Sequence, residues 1–366
     1  MDQINNPLDT IIEGECVAVM NSLQEKSVDL VFADPPYNLQ LQRDLWRPNM
    51  SKVDAVNDEW DKFTDFEEYD RFTRAWLQAC KRILKDNGTL WVIGTYHNIH
   101  RIGAILMDLG YWILNDIVWI KTNPMPNFRG VRFTNAHETL IWAQKKKGAK
   151  YTFHHHDMKA LNDDLQMRSD WTTPLCTGPE RVKRNGEKAH STQKPEALLF
   201  RVLLSSSNPG DIVLDPFFGS GTTGAVAKKL HRHWIGIERD PEYIQIARER
   251  IDAIPDSPYE ERLFVIPNKR NRGKAPFGVL IENGYLSIGR HLYFQKTKDV
   301  ATVLANGFIE CNGVIGSIHQ VGRGIMKSPC NGWEHWYFED ETSGGRHPLD
   351  VLRERYLSDI QKGKDL

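Results

Sequence analysis

A short apolar run that ends in two consecutive prolines constrains the fold of this chain more than any other feature. Residues 28–33 (VDLVFA) show no helical spacing of their apolar side chains, which is typical of a fully buried strand. The strand must end at Asp34-Pro35-Pro36-Tyr37, because proline lacks the N–H that a sheet needs and forces the residue before it out of the α region. The backbone after the strand is therefore stiff and extended.

The groups in this turn suit a flat heterocyclic base that carries an exocyclic amine. Asp34 and the carbonyl of Pro35 can each accept an N–H from that amine, which draws the nitrogen lone pair out of conjugation and makes the nitrogen nucleophilic. Tyr37 can stack on the face of the base. We take Asp34, Pro35, Pro36 and Tyr37 as candidate catalytic residues. Taken alone, they fit a proline-rich turn after a core strand about equally well.

A second stretch combines a strand end with a glycine-rich turn. Residues 211–230 (DIVLDPFFGSGTTGAVAKKL) predict a buried strand at Ile212–Leu214, closed by Asp215, and then a turn that opens a helix. The next predicted strand, Trp234–Ile237, ends at Glu238, so that the segment forms a βαβ unit. Its glycines let the backbone approach a ligand closely, and Glu238 is placed to hold ribose hydroxyls.

The glycine pattern alone leaves the cofactor open. Gly219-x-Gly221-x-x-Gly224 also matches the dinucleotide fingerprint of nicotinamide enzymes, but there the glycines follow the strand directly. Here Asp215-Pro216-Phe217-Phe218 intervenes. This acidic and bulky insert suits S-adenosylmethionine, which has an α-amine and an adenosine but no phosphate. A nicotinamide oxidoreductase and a glycine turn without a ligand are the alternatives.

Composition excludes several classes of protein. The 366 residues carry 47 basic and 48 acidic side chains, a net charge of −1, so any affinity for nucleic acid must come from local patches. The five cysteines are scattered, which argues against a disulfide framework or a cysteine zinc site and fits a reducing cytoplasm. His154, His155 and His156 cannot all converge on one ion from regular structure, so we expect no metal. No apolar run has the length of a membrane span, and we expect a cytoplasmic protein without a membrane anchor.

The remaining pattern predicts a doubly wound α/β domain and a smaller β-rich module. Further helices are predicted at Glu67–Lys85, which Gly88 ends, at Asn98–Leu109, and at 195–207 with Pro195 as first residue; further strands are predicted at Leu90–Ile93, Trp112–Ile120 and Thr139–Ala143. We place the α/β domain at 1–255, a basic linker at 256–274 and the β-rich module, closed by a helix at Leu349–Ile360, at 275–366. Residues 39–62 form a long polar connection, which in a compact domain is usually functional or mobile.

Basic and aromatic residues in three segments are candidates for contacts with DNA. From Lys121 to Lys150 there are seven basic residues against one acid, Glu138, and residues 268–274 contain four basic residues. The candidate DNA contacts, which include polar and aromatic residues of the C-terminal module, are Asn123, Arg129, Arg132, Lys269, Arg270, Arg272, Ser317, Asn331 and Trp333. The alternatives are a solvated basic loop and a C-terminal module that only stabilises or dimerises the protein.

With these residues in hand, the chain resembles the β-class amino methyltransferases of DNA, in which Asp-Pro-Pro-Tyr precedes the Phe-Gly-x-Gly loop. More closely, it resembles the cell-cycle-regulated adenine methyltransferases of α-proteobacteria and their HinfI-type relatives. The similar runs are residues 33–41, 115–143, 166–178, 192–202, 215–225, 316–320 and 330–333. They span both predicted domains.

This resemblance implies methyl transfer from S-adenosylmethionine to N6 of a flipped adenine within GANTC in double-stranded DNA, often by a dimer. The candidate cofactor residues, from the two loops and from the resemblance, are Glu15, Cys16, Asp34, Thr192, Lys194, Asp215, Pro216, Phe217, Phe218, Gly219, Ser220, Gly221, Thr222, Thr223 and Glu238. Two positions depart from the family pattern, which usually has Asp where Glu15 stands and Pro where Ser191 stands. Transfer to N4 of cytosine and an inactive DNA-binding protein on the same fold are the alternatives within this family.

Overall fold

The computed structural model describes residues 6–38, 61–127, 130–163, 165–184, 187–188, 192–264, 275–340 and 344–364. The chain divides into two compact units, Met1–Ile266 and Pro267–Leu366. The division falls inside the segment that the sequence predicts as a linker, and residues 265–274 lie outside the described residues. Residues 39–60 of the predicted long connection also lie outside them.

The first unit is built on one mixed sheet. Its described strands are β1 (Thr10–Glu13), β2 (Val28–Ala33), β3 (Leu84–Gly94), β4 (Trp112–Lys121), β5 (His137–Gln144), β6 (Asp170–Thr173), β7 (Lys183–Arg184), β8 (Glu187–Lys188), β9 (Ile212–Asp215) and β10 (His233–Glu238). Strands β7 and β8 form a separate ribbon, and the other described strands pair in the order β1-β10-β9-β2-β3-β5-β4-β6. Within this eight-stranded order, all pairs are parallel except those that β5 makes with β3 and β4, and the β7–β8 ribbon is antiparallel. The strand order changes direction between β2 and β9, which is where doubly wound sheets form their crevice.

Helices cover both faces of this sheet. The described helices of the unit are α1 (Cys16–Ser22), α2 (Phe66–Ile83), α3 (Ile99–Asp108), α4 (His155–Ala160), α5 (Glu196–Ser206), α6 (Thr222–Lys229), α7 (Pro241–Asp252) and α8 (Glu261–Phe264). Trp76 of α2 and Ile102 of α3 are buried on one face, and Leu198 of α5 and Ile251 of α7 are buried on the other. The doubly wound α/β class predicted from the sequence is confirmed.

Strand β2 is buried on both faces, as its uninterrupted apolar run predicts. Val31 and Ala33 belong to the core under α2 and α3, whereas Leu30 and Phe32 belong to the core under α5 and α7. Parallel strands that are covered on both sides read as continuous apolar runs. Asp34 is therefore the first residue that leaves the sheet, at its carboxyl edge.

Two of the predicted element boundaries that the structure changes involve a glycine and a proline. The prediction that Gly88 ends a helix is wrong, because α2 ends before it and Gly88 lies inside β3. The chain already pairs with β2 at Leu84, and a register irregularity absorbs the polar residues that follow. Pro195 is the N-cap residue of α5, not its first helical residue: its backbone is extended at ψ 140°, and the helix begins at Glu196.

The second unit contains an antiparallel sheet with a core of its own. Its described strands are β11 (His291–Phe294), β12 (Val300–Val303), β13 (Ile309–Cys311), β14 (Val314–Gly316), β15 (Trp336–Glu339) and β16 (Arg346–Pro348), paired in the order β14-β13-β12-β11-β15-β16. Its described helices are α9 (Gly278–Glu282), α10 (Ile318–Met326), α11 (Gly332–His335) and α12 (Leu349–Lys364). Phe294, Trp336 and Leu349 are buried in the core. The β-rich class predicted for this part of the chain is confirmed.

The described part of the chain offers neither a membrane-spanning helix nor a metal centre. No helix among these residues is both long and apolar enough to cross a membrane. The three consecutive histidines lie at the start of the short helix α4, with His154 as its N-cap residue. Within the same ranges, no group of three or more His, Cys, Asp or Glu side chains could hold a metal ion.

Candidate active site

The two loops that the sequence singles out open into one cleft. Strands β2 and β9 are parallel neighbours, with Leu30 opposite Val213, so the loops that follow them leave the same edge of the sheet. The cleft at this edge has a volume of about 600 Å³, and both Asp34 of the first loop and Gly219 of the second line it. A cavity of this size is in the range that ligand sites occupy.

The turn after β2 is held rigidly by buried hydrogen bonds. The carboxylate of Asp61 accepts the backbone N–H groups of Tyr37 and Asn38 at 2.5 and 2.8 Å. The carbonyl of Pro36 accepts the hydroxyl of Tyr69 at 2.9 Å. The Asp-Pro-Pro-Tyr segment is thus fixed both by proline and by its neighbours, as a preorganised site requires.

Asp34 is the centre of a cluster of buried charges. Nζ of Lys194 lies 2.5 Å from Oδ2 of Asp34, and the hydroxyl of Tyr37 donates to Oδ1 at 2.9 Å. Burial raises the pKa of Asp34 above its ordinary value, and the Lys194 ammonium partly offsets that rise. Burial likewise opposes charge on Lys194, but Asp34 and Glu138 keep the pKa of Lys194 above its usual value. The sequence predicts Lys194 near the cofactor, and the structure places its ammonium on the carboxylate of Asp34.

Sequence reasoning missed two residues of this cluster. The hydroxyl of Tyr37 lies 3.2 Å from Oε2 of Glu138, and Nζ of Lys121 lies 2.8 Å from Oε1 of the same carboxylate. The side chains of Lys121 and Glu138 are each only 9% exposed. In the sequence they are merely charges in a basic segment. Only the pairing of β4 with β5, which places Trp119 opposite Glu138, brings them to the site.

The loop after β9 is organised by Asp215, for which the described contacts include no ion pair. Asp215 accepts the N–H of Phe217 at 2.9 Å and the hydroxyl of Thr223 at 2.6 Å. Burial raises the pKa of Asp215 to about 7, and these two hydrogen bonds lower it by less. Gly221 is the N-cap residue of α6 with φ +74°, and a Cβ there would lie 2.8 Å from the side chain of Ala247. Glycine is therefore required at this turn.

Phe218 lies in the core below this loop. Its ring stacks on Trp234 with centroids 5.4 Å apart and planes inclined by 9°. A Cβ at Gly236 would come within 2.4 Å of the same ring. Phe218 thus anchors the glycine turn to the sheet through packing, although the sequence interpretation groups it with the cofactor contacts.

Most of the predicted cofactor residues either line the cleft or support its lining. Those that line it are Glu15, Cys16, Asp34, Thr192, Pro216, Phe217, Gly219 and Glu238. Ser220, Thr222 and Thr223 are buried at the start of α6, and the hydroxyl of Thr222 accepts a hydrogen bond from Arg250 at 2.9 Å. Phe63, Phe72 and Tyr243 also line the cleft and were not predicted.

The lining of the cleft favours a ligand with hydroxyls and an amine over a pyrophosphate. Among the described residues, five acids (Glu15, Asp34, Glu68, Glu238 and Asp240) and two bases (Lys62 and Arg239) line it. Glu238 accepts the N–H of Gly219 at 2.8 Å and those of Arg239 and Asp240 at 2.9 and 3.0 Å. A carboxylate has about four acceptor sites, so one is left for a ribose hydroxyl. These acceptors therefore fit the ribose hydroxyls and the amine of S-adenosylmethionine.

The predicted DNA contacts of the first unit lie on the β4–β5 connection. Oδ1 of Asn123 accepts the N–H of Leu175 at 2.8 Å. Arg132 is exposed, and its guanidinium donates to the hydroxyl of Tyr96 at 2.9 Å. The neighbouring side chain of Phe133 is 98% exposed. Arg129 lies outside the described residues, as do Lys269, Arg270 and Arg272 of the predicted linker.

In the second unit, the predicted DNA contacts have roles in the fold. Ser317 is the N-cap residue of α10 in a complete capping box with Gln320, and Asn331 caps α11. Trp333 is 6% exposed, and its ring lies in the core beneath the guanidinium of Arg353. The Trp333 ring therefore packs inside the unit in this structure.

Comparisons of the sequence with known proteins give matches along nearly the whole chain. A family model described as DNA methylase matches residues 28–249, and one described as Restriction Enzyme Adenine Methylase Associated matches residues 260–362. The Type II methyltransferase M.HinfI of Haemophilus influenzae is 48% identical over 359 residues, which cover 98% of this chain and 99% of the relative. The Type II methyltransferase M2.DpnII of Streptococcus pneumoniae is 42% identical over 244 residues, 66% of this chain and 89% of the relative.

Solved structures share the fold of about two thirds of this chain. The M1.HpyAVI–SAM complex is 28% identical and superposes with a TM-score of 0.51, covering 66% of this chain and 98% of that one. The PvuII DNA methyltransferase (cytosine-N4-specific) is 21% identical with a TM-score of 0.53, covering 71% of this chain and 91% of that one. At that identity, the second similarity speaks for the fold alone.

Proposed function

Because the chain belongs to the DNA methylase family, we propose that it transfers a methyl group from S-adenosylmethionine to N6 of adenine in double-stranded DNA. The shared cleft carries this proposal: the Asp34 turn and the Gly219 loop line one cavity, so a donor and an acceptor base can meet there. Full-length similarity to M.HinfI, 98% of this chain, supports the same activity.

The glycine side of the cleft is where we place the cofactor. Glu238 would hold the ribose, and Phe217 would pack against an apolar face of the ligand. When bound, S-adenosylmethionine supplies a methyl group on a positively charged sulfur. The excess of acids in the cleft lining favours that charge.

The proline turn is where we place the base. Adenine must leave the duplex, which costs about a few kcal/mol, and stacking on Tyr37 would return roughly 1–3 kcal/mol. Asp34 and the carbonyl of Pro35 would each accept an N–H of the amine and so orient the nitrogen toward the donor. Asp34 would then hold the proton that the amine loses. Because the turn is fixed before the base arrives, orientation accounts for most of the acceleration.

Adenine is preferred over cytosine as the target for two reasons. The model matched by residues 260–362 is described as associated with adenine methylases. Asp, not Ser, also precedes the two prolines of the turn. The rival is transfer to N4 of cytosine, which is the named specificity of the PvuII enzyme with the same fold.

The recognition site that we propose is GANTC, on the strength of the sequence runs shared with the cell-cycle-regulated methyltransferases. Arg132 and Asn123 lie on the connection that leaves β4 next to the catalytic cluster, where duplex DNA must pass if a base is to reach Asp34. We further propose that the second unit takes part in DNA binding, that the enzyme acts in the bacterial cytoplasm, and that it acts as a dimer.

One experiment tests the reaction, the base and the site together. The protein is incubated with methyl-labelled S-adenosylmethionine and two duplexes, one with a single GANTC and one with those five bases scrambled. The products are then digested to nucleosides. We expect N6-methyladenine from the first duplex alone. N4-methylcytosine would refute the adenine assignment, equal labelling of both duplexes would refute GANTC, and no labelling would refute the activity.

The Asp34→Ala variant tests the mechanism. It removes both the acceptor for the amine and the proton acceptor, so we expect methyl transfer to fall by about 10²- to 10⁴-fold. Binding of S-adenosylmethionine, followed by calorimetry, should change little, because the cofactor contacts that we propose lie mainly on the β9 and β10 loops. Turnover close to that of the unaltered protein would contradict the mechanism.

A further inference from the structure

We infer that Glu138 is a positioning residue that takes over the hydroxyl of Tyr37 when the amine of the target base binds to Asp34. This inference rests on the proposed function, since the base is the group that displaces the hydroxyl. It assigns a role to a buried ion pair, Lys121–Glu138, that neither the sequence motifs nor the proposed mechanism uses.

The hydroxyl of Tyr37 lies between two carboxylates. It is 2.9 Å from Oδ1 of Asp34 and 3.2 Å from Oε2 of Glu138. A phenol has a single proton, so it can donate to only one of these oxygens at a time. The shorter distance assigns the proton to Asp34 in this structure. A shift of a few tenths of an ångström would transfer the hydrogen bond to Glu138.

Stacking of a base on Tyr37 would bring about this transfer. The hydroxyl binds one oxygen of Asp34 and Lys194 binds the other, so an incoming amine must share an oxygen that already accepts a hydrogen bond. Tyr37 must also turn its ring to the face of the base, which draws its hydroxyl away from Asp34. A buried hydroxyl that loses its only partner costs free energy. Glu138 removes that cost because it already lies within hydrogen-bond distance.

Lys121 makes Glu138 suitable as the second acceptor. Its ammonium holds Oε1 of Glu138 at 2.8 Å, which leaves Oε2 directed at the phenol. The pair balances the second pair, Lys194 and Asp34, on the other side of the hydroxyl. Two ion pairs, each with no net charge, thus flank the hydroxyl of Tyr37. The hydroxyl can therefore donate to either carboxylate without leaving a net buried charge.

The test is a double-mutant cycle between Glu138 and the hydroxyl of Tyr37. The variants are Glu138→Leu, Glu138→Gln, Tyr37→Phe and both Glu138 changes combined with Tyr37→Phe. Leu and Gln each leave Lys121 without its carboxylate, but Gln keeps an oxygen that can accept the hydroxyl. The difference in kcat between the Leu and Gln variants therefore measures the effect of losing the oxygen that accepts the hydroxyl. The kcat and the KM values for cofactor and DNA are measured with methyl-labelled S-adenosylmethionine.

We expect Glu138→Leu to lower kcat by about tenfold or more and to leave the KM for cofactor unchanged. Glu138→Gln should retain kcat within about threefold, and in the Tyr37→Phe background Glu138→Leu should cost less than about twofold. If Glu138→Leu does not fold, the same comparison is made with Lys121→Met/Glu138→Leu, which removes both buried charges. Cofactor binding by calorimetry verifies that each variant is folded.

Two results would overturn the inference: wild-type kcat in the Leu variant, or losses that multiply fully in the Tyr37→Phe background. The second would show that Glu138 acts without the hydroxyl. Failure of the proposed function is distinguishable from either, because the unaltered protein would then label no DNA in the same assay.

Discussion

Three largely buried acids of the candidate active site are stabilised in two ways. Asp34 has Lys194 at 2.5 Å and Glu138 has Lys121 at 2.8 Å, so each forms an ion pair. Asp215 instead accepts from neutral donors, the Phe217 N–H and the Thr223 hydroxyl. Burial raises the pKa of Asp215, and its two hydrogen bonds offset only part of that rise, so the pKa reaches about 7.

The Asp215→Asn variant should be more stable than the unaltered protein at high pH. Because the pKa of Asp215 is raised from 3.8 to about 7 in the folded state, its contribution to stability is fully present below 3.8 and is lost as the pH rises through about 7. Asparagine carries no charge at any pH and can still bond Phe217 and Thr223. We expect its advantage in the free energy of unfolding to be on the order of 2–4 kcal/mol at pH 8 and much smaller at pH 5. Urea denaturation at both pH values measures it, and an equal difference at both would contradict the prediction.

At the scale of single residues, the sequence predicts which side chains carry the chemistry, but it does not predict the cations that pair with them. Asp34 and Glu238 stand out because each directly follows a buried strand, and the structure places both in one cleft. Lys194 joins Asp34 across 160 positions, and Lys121 joins Glu138 only through the pairing of two strands. Periodicity reports which face a residue occupies, whereas a buried ion pair depends on tertiary packing that leaves no local pattern.

Among the secondary-structure elements, strand ends are the features that the sequence predicts best where turn chemistry marks them. Strand β2 ends at two prolines, and β10 ends at Glu238, shortly before Asp240, which caps α7. Strand β3 is the counterexample, because it begins at Leu84 in a polar segment that resembles a loop. Its pairing with β2 and β5 supplies the hydrogen bonds that override local preference.

At the scale of the secondary-structure elements, the testable prediction concerns the β4–β5 connection. Arg132 is exposed and, in this structure, donates only to the hydroxyl of Tyr96 among the described contacts. If it meets a phosphate, Arg132→Ala should weaken DNA binding and reduce the slope of log affinity against log salt by about 1. Fluorescence anisotropy with a labelled duplex at several salt concentrations measures this.

Arg168→Ala is the matched control for Arg132→Ala. Arg168 is also exposed and pairs with Asp170 at the amino end of β6, on the edge of the sheet opposite Asp34. We expect its removal to leave both affinity and salt slope unchanged. Equal salt slopes for the two variants would show that Arg132 of the β4–β5 connection makes no phosphate contact.

At the scale of the whole molecule, the described residues form separate cores. The two that flank the main sheet draw on residues of the first unit, and the third is built from the second unit around Trp336, whose indole N–H donates to the carbonyl of Ile318 at 2.9 Å. Among the described residues, those that line the candidate cofactor cleft all belong to the first unit. Damage to the third core should therefore separate cofactor binding from action on DNA.

Trp336→Ala tests this separation. The side chain is fully buried, so truncation should destabilise the second unit by about 3–5 kcal/mol, while the core of the first unit is unaltered. We expect calorimetry to show normal binding of S-adenosylmethionine, anisotropy to show weakened binding of DNA, and methylation to fall with the loss of DNA affinity. Trp112→Ala serves as the control, because Trp112 is 45% exposed and its removal should affect neither measurement. If Trp336→Ala unfolds the second unit and leaves DNA affinity intact, the second unit has no part in binding DNA, and recognition must reside in the first.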